Sequence, residues 1–129
     1  MLRGCWAITL TGMVLVVDDS VEICMAVVKF IEILGHPAQC LTNPTVALDR
    51  MKAIAPVVVV LDDAMPEVTG LELLQAMKAD EMLRAIPVVM HTASINDQRR
   101  EMARRLGATV VAKGDPTELM NVVSRYLPN

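Results

Sequence analysis

Five short apolar runs rich in β-branched residues recur along the chain, and each leads into a longer stretch whose apolar residues return with helical period. A strand with one solvated face alternates polar and apolar positions. A strand of a parallel sheet covered on both faces reads instead as a continuous apolar run. The run Val57-Val58-Val59-Val60-Leu61 is apolar at every position and is predicted to be a central strand. Further strands are predicted at 14–17, 38–41, 88–91 and 109–112, with helices at 21–34, 44–53, 70–78, 97–106 and 116–127. Such alternation indicates βαβ units, and therefore an α/β fold built on a parallel sheet.

The punctuation between these elements supports the reading. Asn43 and Asn96 stand where helix N-caps belong, and Gly35 and Gly107 stand just past the ends of the first and fourth helices. Asp115-Pro116-Thr117-Glu118 supplies a cap, a proline for the first helical position and a glutamate three residues after the cap. No internal repeat, low-complexity stretch or useful linker divides the sequence. One domain is expected over residues 13–129, preceded by an extension at 1–12 that is either disordered or a continuation of the first strand; Met13 would serve equally well as a start.

Composition narrows the class. At 129 residues, 53% hydrophobic and 21% charged, the chain can bury a core without disulfides or a metal staple. A net charge of −3 creates no general field for nucleic acid or an anionic membrane, so neither is expected as a direct partner. Cys5, Cys24 and Cys40 lack the paired spacing of zinc or redox motifs and read as buried or incidental thiols of a reducing, cytoplasmic setting. The apolar run from Cys5 to Val17 follows Arg3, but it is too short to span a bilayer and stops at an acidic pair.

In an open, doubly wound sheet, ligands bind beyond the carboxyl ends of the strands. Those ends carry Asp18-Asp19, Asp62-Asp63, Thr92 and Lys113. Clustered carboxylates repel one another and call for a hard cation, and Mg²⁺ takes oxygen ligands while keeping waters for exchange with phosphate oxygens. Phosphoryl transfer asks mainly for positioning and for neutralised charge on the equatorial oxygens, which a cation, a lysine and a hydroxyl supply. Asp62, at the end of the central strand, is the natural nucleophile.

The stretches Val14-Leu15-Val16-Val17-Asp18-Asp19-Ser20 and Leu61-Asp62-Asp63-Ala64-Met65-Pro66-Glu67-Val68-Thr69-Gly70 resemble the signatures of response-regulator receiver domains, and the resemblance runs from Met13 nearly to the end. It implies a flavodoxin-like (βα)5 fold with strand order 2-1-3-4-5. It also implies a phosphoacceptor at Asp62 served by a histidine kinase or histidine phosphotransfer protein. Mg²⁺ would be held by the acidic pair Asp18 and Asp19, by Asp62 and by the backbone carbonyl of Ala64. Thr92 matches the family's switch hydroxyl and Lys113 its phosphate-binding lysine. Such a protein is a signalling phosphoacceptor rather than an enzyme, with slow self-catalysed phosphorylation and dephosphorylation. Without an output domain in the sequence, a stand-alone receiver is expected, a monomer or weak dimer that binds an unknown downstream protein.

Departures from the pattern are as informative. Gly114 replaces the proline usual after the lysine, Val110 stands where the family has an aromatic switch residue, the segment from Gly107 to Lys113 is one residue short, and Thr69 replaces an aspartate. The loop after Lys113 is therefore expected to be looser or differently arranged. Gly114, Val110 and the shortened segment support an alternative, a phosphorylation-independent interaction module on a receiver scaffold, whereas Thr69 is expected to have little chemical consequence. Ala64 and Ser94 are small, which predicts an accessible attacking water and a short-lived phosphoryl group.

Other residues admit plainer readings. Asp63 is expected to be a solvated loop residue, because successive strand side chains point to opposite faces. His91 reads as packed or capped, and His36 as a partner of a helix C-terminus. Arg99, Arg100, Arg104 and Arg105 make the fourth helix basic; with Val110 they form either a partner-docking face or, through a Glu101–Arg105 pair, a solvated one. The ten methionines are expected to fill the core, and Trp6 lies too far forward to report on the pocket. A haloacid-dehalogenase-type phosphatase needs a second aspartate where Ala64 stands, and a dinucleotide enzyme needs a glycine-rich turn after the first strand.

Overall fold

The computed structural model describes residues 12–93 and 95–128. Expectations for Cys5, Trp6, Ser94 and the first eleven residues of the extension lie outside them. The elements are β1 (Val14–Val17), α1 (Val21–Ile33), β2 (Ala38–Leu41), α2 (Ala47–Ile54), β3 (Val58–Leu61), α3 (Gly70–Ala79), β4 (Val88–Thr92), α4 (Asp97–Arg105), β5 (Thr109–Ala112) and α5 (Pro116–Ser124). All strand pairings are parallel, and the order is β2-β1-β3-β4-β5, the flavodoxin-like arrangement.

Alternation along the central strands sends side chains into two cores. Leu15, Val17, Val59, Leu61 and Met90 meet Met51 of α2, Leu74 and Met77 of α3 and Ala103 of α4. On the opposite face, Val14, Val16, Val58, Val60 and Val111 meet Cys24, Val27 and Ile31 of α1 and Leu119, Val122 and Val123 of α5. Both faces of β1, β3 and β4 are therefore dry, which is why these strands read as unbroken apolar runs. Each fully buried Leu or Val contributes about 1.5–3 kcal/mol by leaving water.

The ends of elements depart from expectation in small, explicable ways. The predicted second helix opens as a 3₁₀ turn, Pro44–Val46, capped by the Asn43 side chain, before α2 begins. It closes on Ala55 in the left-handed conformation, φ 46°, where no glycine marked a stop. The last helix ends at Ser124 rather than Leu127, because Arg125, Tyr126 and Leu127 switch to shorter-range turn hydrogen bonds while Tyr126 and Leu127 pack against the core. His36 closes α1 with its backbone N–H, bonded to the Ile31 carbonyl at 3.2 Å. Met51, Met65, Met77 and Met90 are core residues as expected, but Met25, Met82 and Met102 are exposed. No described helix is long and apolar enough to cross a membrane.

Candidate functional site

Register brings the carboxyl ends of β1, β3, β4 and β5 to one edge. Val17 pairs with Leu61 and Thr92 with Ala112, so the residues that follow each strand emerge side by side. Backbone bonds carry the ladder one step further, from Asp62 N–H to the Val17 carbonyl at 2.9 Å and from Lys113 N–H to the Thr92 carbonyl at 3.0 Å. Two local features aim the loops. Ser20 caps α1 while its own N–H bonds Asp18 Oδ1 at 2.9 Å, which orients that carboxylate. Gly70 opens α3 directly against the β3 end, where a Cβ would collide with the Asp62 carbonyl oxygen and the Asp63 Cα. Thr69 and Glu72 then form a complete capping box.

The result is an acidic pocket with one ammonium in it. Asp18, Asp19 and Asp62 each place a carboxylate oxygen within 4.8 Å of the others, and Asp18 and Asp62 are buried. Lys113 Nζ stands 2.8 Å from Asp18 Oδ2 and 3.3 Å from Asp62 Oδ2. Burial pushes the Asp62 carboxyl above its ordinary value and the nearby Asp18 adds to this, with Lys113 opposing. Burial works against the Lys113 charge, yet Asp18 and Asp62 outweigh it and hold its pKa up. Three carboxylates against one ammonium leave an excess negative charge on oxygen-only donors, a set that suits a hard dication such as Mg²⁺. Ala64 is exposed in the loop that follows Asp62.

Thr92, buried at the end of β4, lines a cavity of about 280 Å³ with Ala93, Ile95, Arg100, Val110 and Ala112. Val110 is too small to fill it. Among the described residues, Arg100 Nε in this wall has no hydrogen-bond partner. Gly114 takes φ +95°, in the left-handed region, so the loop after Lys113 follows a path closed to proline. His91 is buried one residue before Thr92, and burial, then Lys113, lowers its pKa, so it is neutral at pH 7. That agrees with a packed histidine.

Two expectations need correction. Asp63 is not solvated but buried: Arg99 bonds it through Nε to Oδ2 at 2.8 Å and Nη2 to Oδ1 at 2.7 Å, and Leu71 N–H bonds Oδ1 at 3.0 Å. Arg99 is therefore committed inward rather than free on a basic face. Arg100 is half-buried, which leaves Arg104 and Arg105 as the exposed arginines of α4. Arg105 pairs with Glu101 at 3.3 Å, a surface contact worth about 0.3–0.5 kcal/mol. Nothing local in the sequence pointed to the Arg99–Asp63 pair, but the Thr69-x-x-Glu72 capping signature was there to be found.

This fold and this pocket define a receiver domain. The sequence matches the response regulator receiver domain family over residues 14–124, and the chain belongs to that family. It is 33% identical over 99 residues to the polar-differentiation response regulator DivK of Brucella ovis, covering 76% of this chain and 80% of that protein. It is 26% identical over 125 residues to the chemotaxis protein CheV1 of Helicobacter pylori, but spans only 37% of that protein's length. A solved structure of the chemotaxis protein CheY4 of Vibrio cholerae superposes with a TM-score of 0.81 at 25% identity, covering 91% of this chain and 99% of that one.

Proposed function

We propose that this domain accepts a phosphoryl group on Asp62 from a histidine kinase or phosphotransfer protein and thereby changes the affinity of a partner protein. The observation that carries the reading is the Lys113 ammonium held 2.8 Å from Asp18 and 3.3 Å from Asp62 inside a carboxylate cluster, at the strand ends of a receiver fold. Asp18, Asp19, Asp62 and the Ala64 carbonyl would hold Mg²⁺, which when bound neutralises charge on phosphoryl oxygens. The remaining work falls to the chain. An Asp62 oxygen forms the new O–P bond as the donor's N–P bond breaks, and the proton the leaving imidazole needs comes from solvent. Lys113 faces the charge that grows on the phosphoryl oxygens, and the Thr92 hydroxyl, one strand away, donates to one of them.

The test is intact-protein mass spectrometry after incubation with Mg²⁺ and acetyl phosphate, for the wild type and Asp62→Asn. A phosphoryl adduct on the wild type alone supports the reading; an equal adduct on both, or none on a folded wild type, defeats it. A second reading, constitutive partner binding without a phosphoryl switch, draws on the Val110 cavity and the Gly114 backbone. It requires partner affinity to be unchanged by beryllofluoride, because a ligand shifts only equilibria in which it has differential affinity.

A further inference from the structure

Among the described residues two thiols lie outside the pocket, and the fold places them on the same side of the sheet. Cys24 lies one turn into α1 with no exposed surface; its Sγ donates to the Val16 carbonyl at 3.3 Å and lies 3.9 Å from the Leu41 carbonyl. Val16 is the register partner of Cys40, and Leu41 is the next residue along β2. The Cys24 sulfur therefore sits above the β1–β2 ladder at the level of Cys40. Cys40 packs against the same apolar cluster that contains Cys24, so both side chains occupy the α1 side of the sheet. Both are free, and the Cys40 thiol lies near enough to Cys24 to help raise its pKa.

Their access to solvent differs. Cys40 is half-buried on the edge strand and opens into a groove of about 610 Å³ that Glu22, Met25, Val28, Lys29 and Glu32 also line. Cys24 is sealed beneath it, and burial, with the neighbouring Cys40 thiol adding to the effect, pushes its pKa up to about 12. One sulfur can meet a small oxidant and the other can meet only the first.

We propose that Cys24 and Cys40 form an oxidant-responsive dithiol, which hydrogen peroxide converts to a disulfide that ties α1 to the edge strand β2. In the first step the Cys40 thiol takes an oxygen from peroxide, giving a sulfenic acid and one water. In the second, Cys24 sulfur attacks the Cys40 sulfur; the S–S bond forms, the S–OH bond breaks, and the hydroxyl leaves as water with the Cys24 proton. Peroxide is reduced by two electrons and the two thiols are oxidised by two. Because Cys24 is a poor thiolate, the second step is the slower, and the Cys40 sulfenic acid persists long enough to be trapped. The proposal is independent of phosphorylation at Asp62.

A Cys5→Ser protein retains only these two cysteines. Treated with peroxide, it is expected to lose the mass of two hydrogens and to recover it with dithiothreitol. Because Lys29 separates the two residues, trypsin should yield one disulfide-linked peptide pair. Dimedone should label Cys40 before the disulfide forms, and not Cys24. In Cys24→Ala, and separately in Cys40→Ser, the intramolecular product should vanish, with folding checked by circular dichroism. Oxidation of Cys40 straight to sulfinic acid while Cys24 stays reduced would overturn the proposal. So would a Cys40–Cys40 dimer as the sole disulfide, or two intact thiols under conditions that fully oxidise a cysteine peptide.

Discussion

Arg99 grips Asp63 through two parallel hydrogen bonds of 2.8 and 2.7 Å, joining α4 to the loop that leaves β3 across 36 residues of sequence. Asp63 also accepts from Leu71 N–H, so one carboxylate pins the loop carrying Asp62 to both α3 and α4. Arg99→Ala should therefore destabilise the fold by about 2 kcal/mol. That lies below the full cost of orphaning a buried charge, because the Arg99 side chain is 33% exposed. Urea unfolding monitored by circular dichroism measures it, and a change within about 0.5 kcal/mol would mean that water replaces the arginine without penalty.

The same pair predicts an acid limb. Burial would raise the Asp63 carboxyl, but hydrogen bonds from Arg99 and Leu71 N–H, with the Arg99 charge, outweigh it and hold the pKa below the ordinary 3.8. A folded-state value below the unfolded one means stability that is complete above the unfolded value and lost as pH falls through the folded one. Melting temperature should thus drop below about pH 4. In Arg99→Ala the drop attributable to Asp63 should be smaller.

Asp62 predicts the opposite sign. Burial, then Asp18, raises its folded-state pKa against the pull of Lys113, so the ionised carboxylate costs stability above that value and the cost fades below the unfolded one. Asp62→Asn should raise stability at neutral pH by on the order of 1 kcal/mol, a few degrees in melting temperature, and lose the advantage in acid. A variant less stable than wild type at pH 7 would mean that the Lys113 attraction dominates.

Gly70→Ala should be costly despite adding only a methyl group to a helix, where alanine is normally preferred. The new Cβ meets backbone, the Asp62 carbonyl and Asp63 Cα, which cannot rotate away. Overpacking of this kind costs about 1–3 kcal/mol and should also displace the Asp62 loop, visible as amide shift changes at Asp62 and Asp63 in ¹⁵N spectra.

Gly114→Pro restores the residue usual after the lysine in receiver domains, yet it should destabilise, because φ +95° is outside proline's range. Gly114→Ala, which meets no neighbouring atom but must hold a positive φ, should cost about 1 kcal/mol. A proline variant as stable as wild type would show that the loop readily adopts a second path.

Strand and helix identity, the parallel sheet and the line of Asp18, Asp62, Thr92 and Lys113 at its edge were all readable from the chain. Dry strands must be apolar at every position, and strand ends in this architecture face one way, so local pattern and global geometry agree. Helix ends were less legible: Ala55 ends α2 in a left-handed turn without glycine, and α5 yields to tighter turns at Arg125. The i,i+4 pair of Glu101 and Arg105 was legible from helix spacing, but pairs between separate elements away from the strand ends were not. Strand alternation correctly turned Asp63 away from its neighbour Asp62, but it carried no information about an arginine 36 residues onward that makes burial of that carboxylate affordable. The meeting of Cys24 with Cys40 likewise required the packing of α1 on β2. Periodicity is written in neighbouring residues, whereas the partner of a buried charge or a buried thiol is chosen by how separate elements pack.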